Sequence, residues 1–223
     1  MTSSRDSSSP PPYYPVFLDL RGKRCVVIGG GKVAKRKVDG LLEAGAEVVV
    51  IAPRISTIPD GVQVIQREYT PSDLDGAMLV IASTDDPGVN DAIFREATAR
   101  GIWVNVVDVP ENCSFILPSV VRRGALRIAI STGGASPVLA KRLRISLEGQ
   151  FGEEYGCLVD LLWRLRQRWE PQAIAAGVPP AERQQAWERI LDLPLLDMLR
   201  EGDVVGAEMA AAAVLHEISG DPY

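Results

Sequence analysis

Five short apolar runs punctuate the first half of the chain: "RCVVIG" from Arg24, "AEVVVIA" from Ala46, "VQVIQ" from Val62, "AMLVIAS" from Ala77 and "IWVNVVD" from Ile102. Their apolarity is continuous, not alternating. That is the pattern of strands covered on both faces, and it predicts a parallel sheet. Helical spacing fills two of the gaps. Val33 to Ala44 is stopped by Gly45, and Pro87 to Arg100 is stopped by Gly101. Strand, helix and strand in repetition predict an α/β fold, a doubly wound parallel sheet of Rossmann type.

The pattern changes after Asp108. "CSFILPSVV" and "ALRIAIST" read as two further strands, with "RRG" as the turn between them. Ser136 is placed to cap a helix whose first residue is Pro137. Beyond about residue 150 every apolar pattern is helical: "CLVDLLWRLRQRW", "AERQQAWERILDL" and "DVVGAEMAAAAVLHEI". The Leu and Trp stripe of the first reads as core packing. The expected organisation is a disordered Ser/Pro-rich tail over 1–13, a sheet domain over 14–112, a strand-and-helix segment over 113–149 and a helical domain over 150–223.

Charge sharpens this division. Residues 1–149 hold 18 Lys+Arg against 16 Asp+Glu, while residues 150–223 hold 6 against 13. An acidic ligand belongs with the first part. The net charge of -5 argues against a nucleic-acid partner. Three widely spaced cysteines, Cys25, Cys113 and Cys157, suit reduced thiols in a cytosol. With His216 as the single histidine, no His/Cys cluster for a protein-held metal is expected. No apolar stretch reaches membrane-spanning length, and the N-terminus lacks the apolar core of a signal peptide.

The glycine run is the first candidate for chemistry. Gly29, Gly31 and Ala34 fit G-x-G-x-x-G/A, with Gly30 between them, directly after a strand and opening a helix. The first glycine permits a tight turn, the second lets backbone approach a pyrophosphate, and the small Ala34 allows close helix–strand packing. The acidic residue expected at the end of the second strand is missing. That region reads Ile51-Ala52-Pro53-Arg54. Arg54 suits either a 2′-phosphate or a solvated loop, so pattern alone leaves NAD and NADP open.

Ligands of such sheets sit outside the carboxyl ends of the strands. Ser83, Thr84 and Asp85 follow the fourth strand, and Asn105 and Asp108 end the fifth. Asp108 follows an apolar strand, where partial burial would raise its pKa and suit it to proton transfer. A turn carboxylate is the alternative. Asp85 and Asp86, before Pro87, read as helix-start residues. Three basic groups remain: Lys32/Lys35/Arg36/Lys37, Arg122/Arg123/Arg127 and Lys141/Arg142/Arg144. They are solvated faces or receivers of a carboxylate-rich ligand.

The stretches "VVIGGGKVAKRK", "IASTDD", "VNVVDVP" and "SFILPSVVRRGALRIAISTGGASPVLAKRLR" closely resemble the precorrin-2 dehydrogenase/sirohydrochlorin ferrochelatase family. Its members are the N-terminal half of bacterial siroheme synthase and stand-alone counterparts. The resemblance is strong over 14–150 and looser over the helical end. "NVVD", "SFILPS" and "STGGASPVLA" in combination make it specific. It implies that NAD⁺ takes a hydride from precorrin-2 to give sirohydrochlorin. In many members the same site then inserts Fe²⁺, which makes iron a substrate and not a bound cofactor.

Further expectations follow from the resemblance. Asp108 stands at the family's essential aspartate and would act as general base. Lys32, Val33, Pro53 and Arg54 fall at its dinucleotide contacts, beside Gly29, Gly30, Gly31, Thr84 and Asn105. The missing acid does not count against NAD⁺, because the family position is not acidic either. Ser114 and Thr132 would line the substrate cleft, and Arg122, Arg123 and Lys141 would receive the carboxylates of the tetrapyrrole. The middle segment would form an intertwined homodimer. Nothing in the sequence resembles the methyltransferase half of siroheme synthase, so the protein should not make its own precorrin-2. Two other classes compete: a non-catalytic dinucleotide sensor, which leaves Asp108 and the basic segment without a role, and a hydroxy-acid dehydrogenase, which would want a histidine at the strand ends.

Overall fold

The computed structural model describes residues 11–56 and 58–219. The expected tail lies outside the described residues as far as residue 10, and residues 11–13 have no regular secondary structure. The chain divides into two compact units, one ending at Leu117 and one beginning at Pro118.

The first unit is built on five strands: β1 (Arg24–Ile28), β2 (Glu47–Ile51), β3 (Gln63–Ile65), β4 (Leu79–Ala82) and β5 (Trp103–Val106). All pair in parallel, in the order β3-β2-β1-β4-β5. Alternation along each strand serves two cores. Cys25 and Val27 pack with Ala34, Val38 and Leu41 on one face. Val26 and Ile28 pack with Ile93, Ala97 and Leu74 on the other. This is why the runs are apolar at most positions and do not alternate. Helix α1 (Lys32–Glu43) covers the first face, and α2 (Pro87–Ala99) covers the second.

Both helices stop as their glycines predict. Gly45 (φ +76) and Gly101 (φ +69) take the left-handed conformation. The following amides, Ala46 N and Ile102 N, return to Leu41 O and Ala97 O at 3.1 and 2.9 Å. The strand order reverses between β1 and β4. The crevice at their carboxyl ends is therefore the place where a doubly wound sheet binds its ligand.

The second unit opens with an antiparallel hairpin, β6 (Ser119–Arg123) and β7 (Leu126–Ile130). Here the expected elements shift. Cys113–Pro118 is not a strand. Cys113 makes one isolated bridge to Asn105, and the ladder starts only at Ser119. Arg122 and Arg123 are not turn residues but strand residues, opposite Arg127 and Leu126. The turn is Gly124-Ala125, with Gly124 at φ +52, the positive φ that two-residue hairpin loops favour.

Five helices follow: α3 (Pro137–Gln150), α4 (Glu154–Ala175), α5 (Pro180–Leu191), α6 (Leu195–Arg200) and α7 (Val204–Ser219). Ser136 Oγ accepts from Leu139 N at 3.2 Å, as its capping role requires. Leu158, Leu161, Leu165 and Trp169 of α4 form the core with Ile190, Leu195 and Leu215. Gly156 packs against the hairpin turn. A Cβ there would lie 2.9 Å from Gly124 N.

Candidate functional site

The three consecutive glycines each answer a different constraint. Gly29 has φ +129, and a Cβ on it would lie 2.5 Å from Ser83 O. Gly30 is covered by the loop after β2. A Cβ there would run into Arg54 O and lie 2.9 Å from Ile55 Cα. The same loop is tied down by Ser56, whose N and Oγ both donate to Gly30 O at 2.9 Å. Gly31 is the opposite case: nothing of the protein lies within 4 Å of its absent Cβ.

Gly31 is also the N-cap of α1. Among the described residues no side chain caps that helix, and its first turn holds no acidic residue. Its neighbours differ. Asp86 closes the start of α2, accepting from Gly88 N at 2.8 Å and Val89 N at 3.2 Å. An uncapped N-terminus with open space before it presents N–H groups and positive dipole to an anion. These features fit the pyrophosphate of a dinucleotide. Lys32 is exposed and Val33 half-buried at the first two positions of α1. Ala34 is fully buried beneath, the close packing that a small residue allows.

Pro53 and Arg54 follow β2 and are exposed, beside the glycine loop. Thr84 follows β4 but its hydroxyl is engaged. It donates to Asn90 Oδ1 at 2.8 Å, while Asn90 Nδ2 donates to Thr84 O at 3.0 Å. Thr84 thus shapes the loop that flanks the crevice.

Asp108 lies two residues beyond β5 and is exposed, against the expected partial burial. The turn carries it past the end of the sheet. Its φ of +61 is the one positive value among described non-glycine residues. Lys37, half-buried on α1, interacts electrostatically with Asp108 and Cys113. Burial, aided by Arg36, lowers its pKa, and the Asp108 carboxylate opposes that shift.

Asn105 is buried. Its Nδ2 donates to Phe115 O at 2.9 Å. Ser114 Oγ accepts from Val104 N at 2.8 Å and sits 3.2 Å from Val104 O. Both side chains tie the 113–115 segment to β5. Sequence reasoning missed the residue between these two, Cys113, and also missed Ser56 and Asn90. Their partners are backbone atoms or distant loops, for which spacing gives no signal.

In the second unit the expected substrate residues separate. Arg122 is exposed on β6, opposite Arg127 on β7. Arg123 points to the other face and is engaged. Its Nε donates to Phe151 O at 2.7 Å and its Nη2 to Glu148 O at 3.0 Å. It thereby serves the carbonyl end of α3 instead of a ligand. Strand alternation forces the choice, since adjacent residues face opposite ways. Thr132 Oγ1 accepts from Ser136 N at 3.0 Å and sets the approach to α3. Lys141 is exposed on α3. So are Val138, Leu139, Leu143 and Ile145, of which Val138 is 66% exposed.

Among the described residues no three His, Cys, Asp or Glu side chains gather as metal ligands, and no helix is long and apolar enough to cross a membrane.

Comparison with known proteins agrees with this geometry. A family model of NAD(P)-binding domains matches residues 16–119, and the model of the central part of sirohaem biosynthesis proteins matches residues 123–150. Siroheme synthase of Nitrosococcus oceani is 39% identical over 91% of this chain, and that of Methylobacillus flagellatus 40% over 90%. The chain spans 44% of the length of each. Among solved structures, SirC, a precorrin-2 dehydrogenase, superposes with a TM-score of 0.69 at 25% identity. That match covers 89% of this chain and all of SirC. The chain thus carries an NAD(P)-binding region followed by a sirohaem-biosynthesis central segment, and over about nine-tenths of its length it is similar to siroheme synthases and to the precorrin-2 dehydrogenase SirC.

Proposed function

We propose that the protein is a cytosolic, NAD⁺-dependent dehydrogenase that converts precorrin-2 to sirohydrochlorin, and that it then inserts Fe²⁺ as a substrate to give sirohaem. One observation carries the reading. The carboxyl edge of a single parallel sheet bears both an open, uncapped glycine loop and an exposed aspartate in a left-handed turn. A sensor module has no use for the second feature.

When bound, the nicotinamide dinucleotide supplies a two-electron hydride acceptor. The chain supplies the rest. Gly29, Gly30 and Gly31 with the amides of Lys32 and Val33 hold the pyrophosphate, and Pro53 and Arg54 flank the adenosine ribose. The absence of an acid there leaves NAD⁺ to be recognised without a carboxylate clamp. Thr84 and Asn105 fix the loops around the cofactor. The Asp108 carboxylate accepts the proton that the macrocycle releases as hydride departs, and its exposure lets it pass that proton to solvent. The same carboxylate accepts pyrrole N–H protons before iron enters. The tetrapyrrole nitrogens, not protein side chains, ligate the iron.

In the second unit Arg122 and Lys141 offer positive charge to the carboxylates of the substrate, and Thr132 shapes the approach to α3; in the first unit Ser114 ties the segment after Asp108 to β5. The expected contribution of Arg123 is indirect, through α3. The exposed apolar face of α3 supports a homodimer.

The test is anaerobic absorbance of the protein mixed with precorrin-2 and NAD⁺, followed by Fe²⁺. The expected result is NADH with the sirohydrochlorin spectrum, then an iron-dependent change faster than in a protein-free control. NADH without that acceleration removes the chelatase step. Bound NAD⁺ without NADH removes the dehydrogenase and favours a sensor.

A further inference from the structure

Asp108 sits in a left-handed backbone conformation that is uncommon for a residue with a Cβ, and its neighbours are arranged to keep it there. Val109 N donates to Val106 O at 3.3 Å and closes a four-residue turn with Val107 and Asp108 at its centre. A negative φ followed by the +61° of Asp108 is the pattern of a type II turn, where glycine or asparagine normally fills that position. For most residues with a Cβ the left-handed region costs about 1–2 kcal/mol, and aspartate is among those that bear it best. Contacts outside the turn have to offset that cost.

Those contacts come from Cys113. Its Sγ lies 3.2 Å from Val106 O and 3.3 Å from Val109 O, the first and last carbonyls of the turn. One S–H spans both acceptors. Asn105 holds the thiol in place. Its Nδ2 is 3.5 Å from Cys113 Sγ while it donates to Phe115 O, and the two residues form an isolated antiparallel bridge. Asn105 itself is fixed in β5, paired with Ile81 of β4.

We propose that Cys113, oriented by Asn105, is a positioning residue that holds the Val106–Val109 turn closed and so aims the Asp108 carboxylate; this rests on Asp108 being the proton acceptor. Burial pushes the Cys113 thiol up, so it keeps the hydrogen that it must donate. A serine can make the same donation. An alanine or valine cannot, and the turn is then free to relax toward an ordinary negative φ that swings the carboxylate away.

The experiment compares the full chain with Cys113→Ala, Cys113→Val, Cys113→Ser and Asp108→Asn. For each it measures kcat with precorrin-2, NAD⁺ affinity and melting temperature. kcat is counted per NAD⁺-binding site, so unfolded chains do not enter. Cys113→Ala and Cys113→Val should each lose about tenfold or more in kcat with NAD⁺ affinity unchanged, as displaced catalytic groups do. Cys113→Ser should restore most of that loss. Unchanged kcat per site in the alanine and valine variants, with only a lower melting temperature, overturns the proposal. Loss in Cys113→Ser as deep as in Cys113→Ala overturns it too. Asp108→Asn separates the two readings. It suits the left-handed turn but cannot take a proton. If it is inactive while Cys113→Ala is active, only the positioning role falls. If it is active, the reading of Asp108 itself falls.

Discussion

Gly31 is the position of the glycine loop at which a side chain would meet no protein atom, so a substitution there reports on the ligand alone. Its φ of −88° and ψ of −173° suit any residue. Aspartate is moreover a good N-cap, and its charge complements the helix dipole. Gly31→Asp should therefore fold at least as well as the parent, with stability equal or higher by about 0.5 kcal/mol. It should nevertheless weaken NAD⁺ binding by about 100-fold, or about 2.7 kcal/mol, because the carboxylate occupies the anion's place. Calorimetric titration with NAD⁺ and a thermal melt of the same variant check both halves. Undiminished affinity would remove the phosphate-loop reading. Gly30 cannot serve for this test, since a side chain there would strike Arg54 and Ile55 whether or not a ligand binds.

Between β3 and β4 a short 3-10 turn, Pro71–Leu74, is held by Asp73. This carboxylate is 5% exposed, pairs with Arg67 through Nη1 at 2.7 Å and Nη2 at 2.5 Å, and accepts from Thr70 N at 2.8 Å. The Arg67 guanidinium holds its pKa below the usual carboxylate range. A pKa lowered by folding stabilises above the unfolded-state value and stops doing so as pH falls through the folded one. The contribution is thus complete at neutral pH and fades in acid below about pH 4. Asp73→Asn should lower stability at pH 7 by about 2 kcal/mol and flatten the acid limb of the melting curve, as thermal scans against pH would register. A parallel acid limb in the variant would show that the pair contributes nothing. The turn illustrates what was readable beforehand. The strands β1, β2, β4 and β5 were legible because burial on both faces makes most of their positions apolar. Gly45, Gly101 and Ser136 were legible because local backbone chemistry dictates them. The extent of β6 was not. "CSFILP" is apolar enough for a strand, but its polar bonds go to β5 through Ser114 and Cys113, partners that spacing cannot reveal. The six residues of α6 are too few for a period to show. At the site, Asp108 and the glycines could be found by position, whereas the left-handed turn and the thiol beneath it are properties of three dimensions only.

A chain of 24.1 kDa with a helix as apolar on its surface as α3 raises the question of its state in solution. In α3 only Ala140 is buried. Val138, Leu139, Leu143 and Ile145 are all exposed, and 139 and 143 are one helical turn apart on the same side. Single exposed apolar residues are ordinary, but four on one helix of 14 residues form a patch that a monomer gains nothing by keeping. A second copy would cover it by twofold symmetry, each α3 presenting the same face to the other. The hairpin that packs on α3 also has an open edge, and pairing between copies would satisfy it. Sedimentation equilibrium should therefore give twice 24.1 kDa at micromolar concentration. Leu139→Glu combined with Leu143→Glu should sediment as a monomer and keep its helical circular dichroism, because neither side chain belongs to a core. NAD⁺ affinity should survive in that variant, since the glycine loop lies wholly in the unit that ends at Leu117. A parent that sediments at 24.1 kDa, or a double variant that stays dimeric, would mean that this face is not the interface.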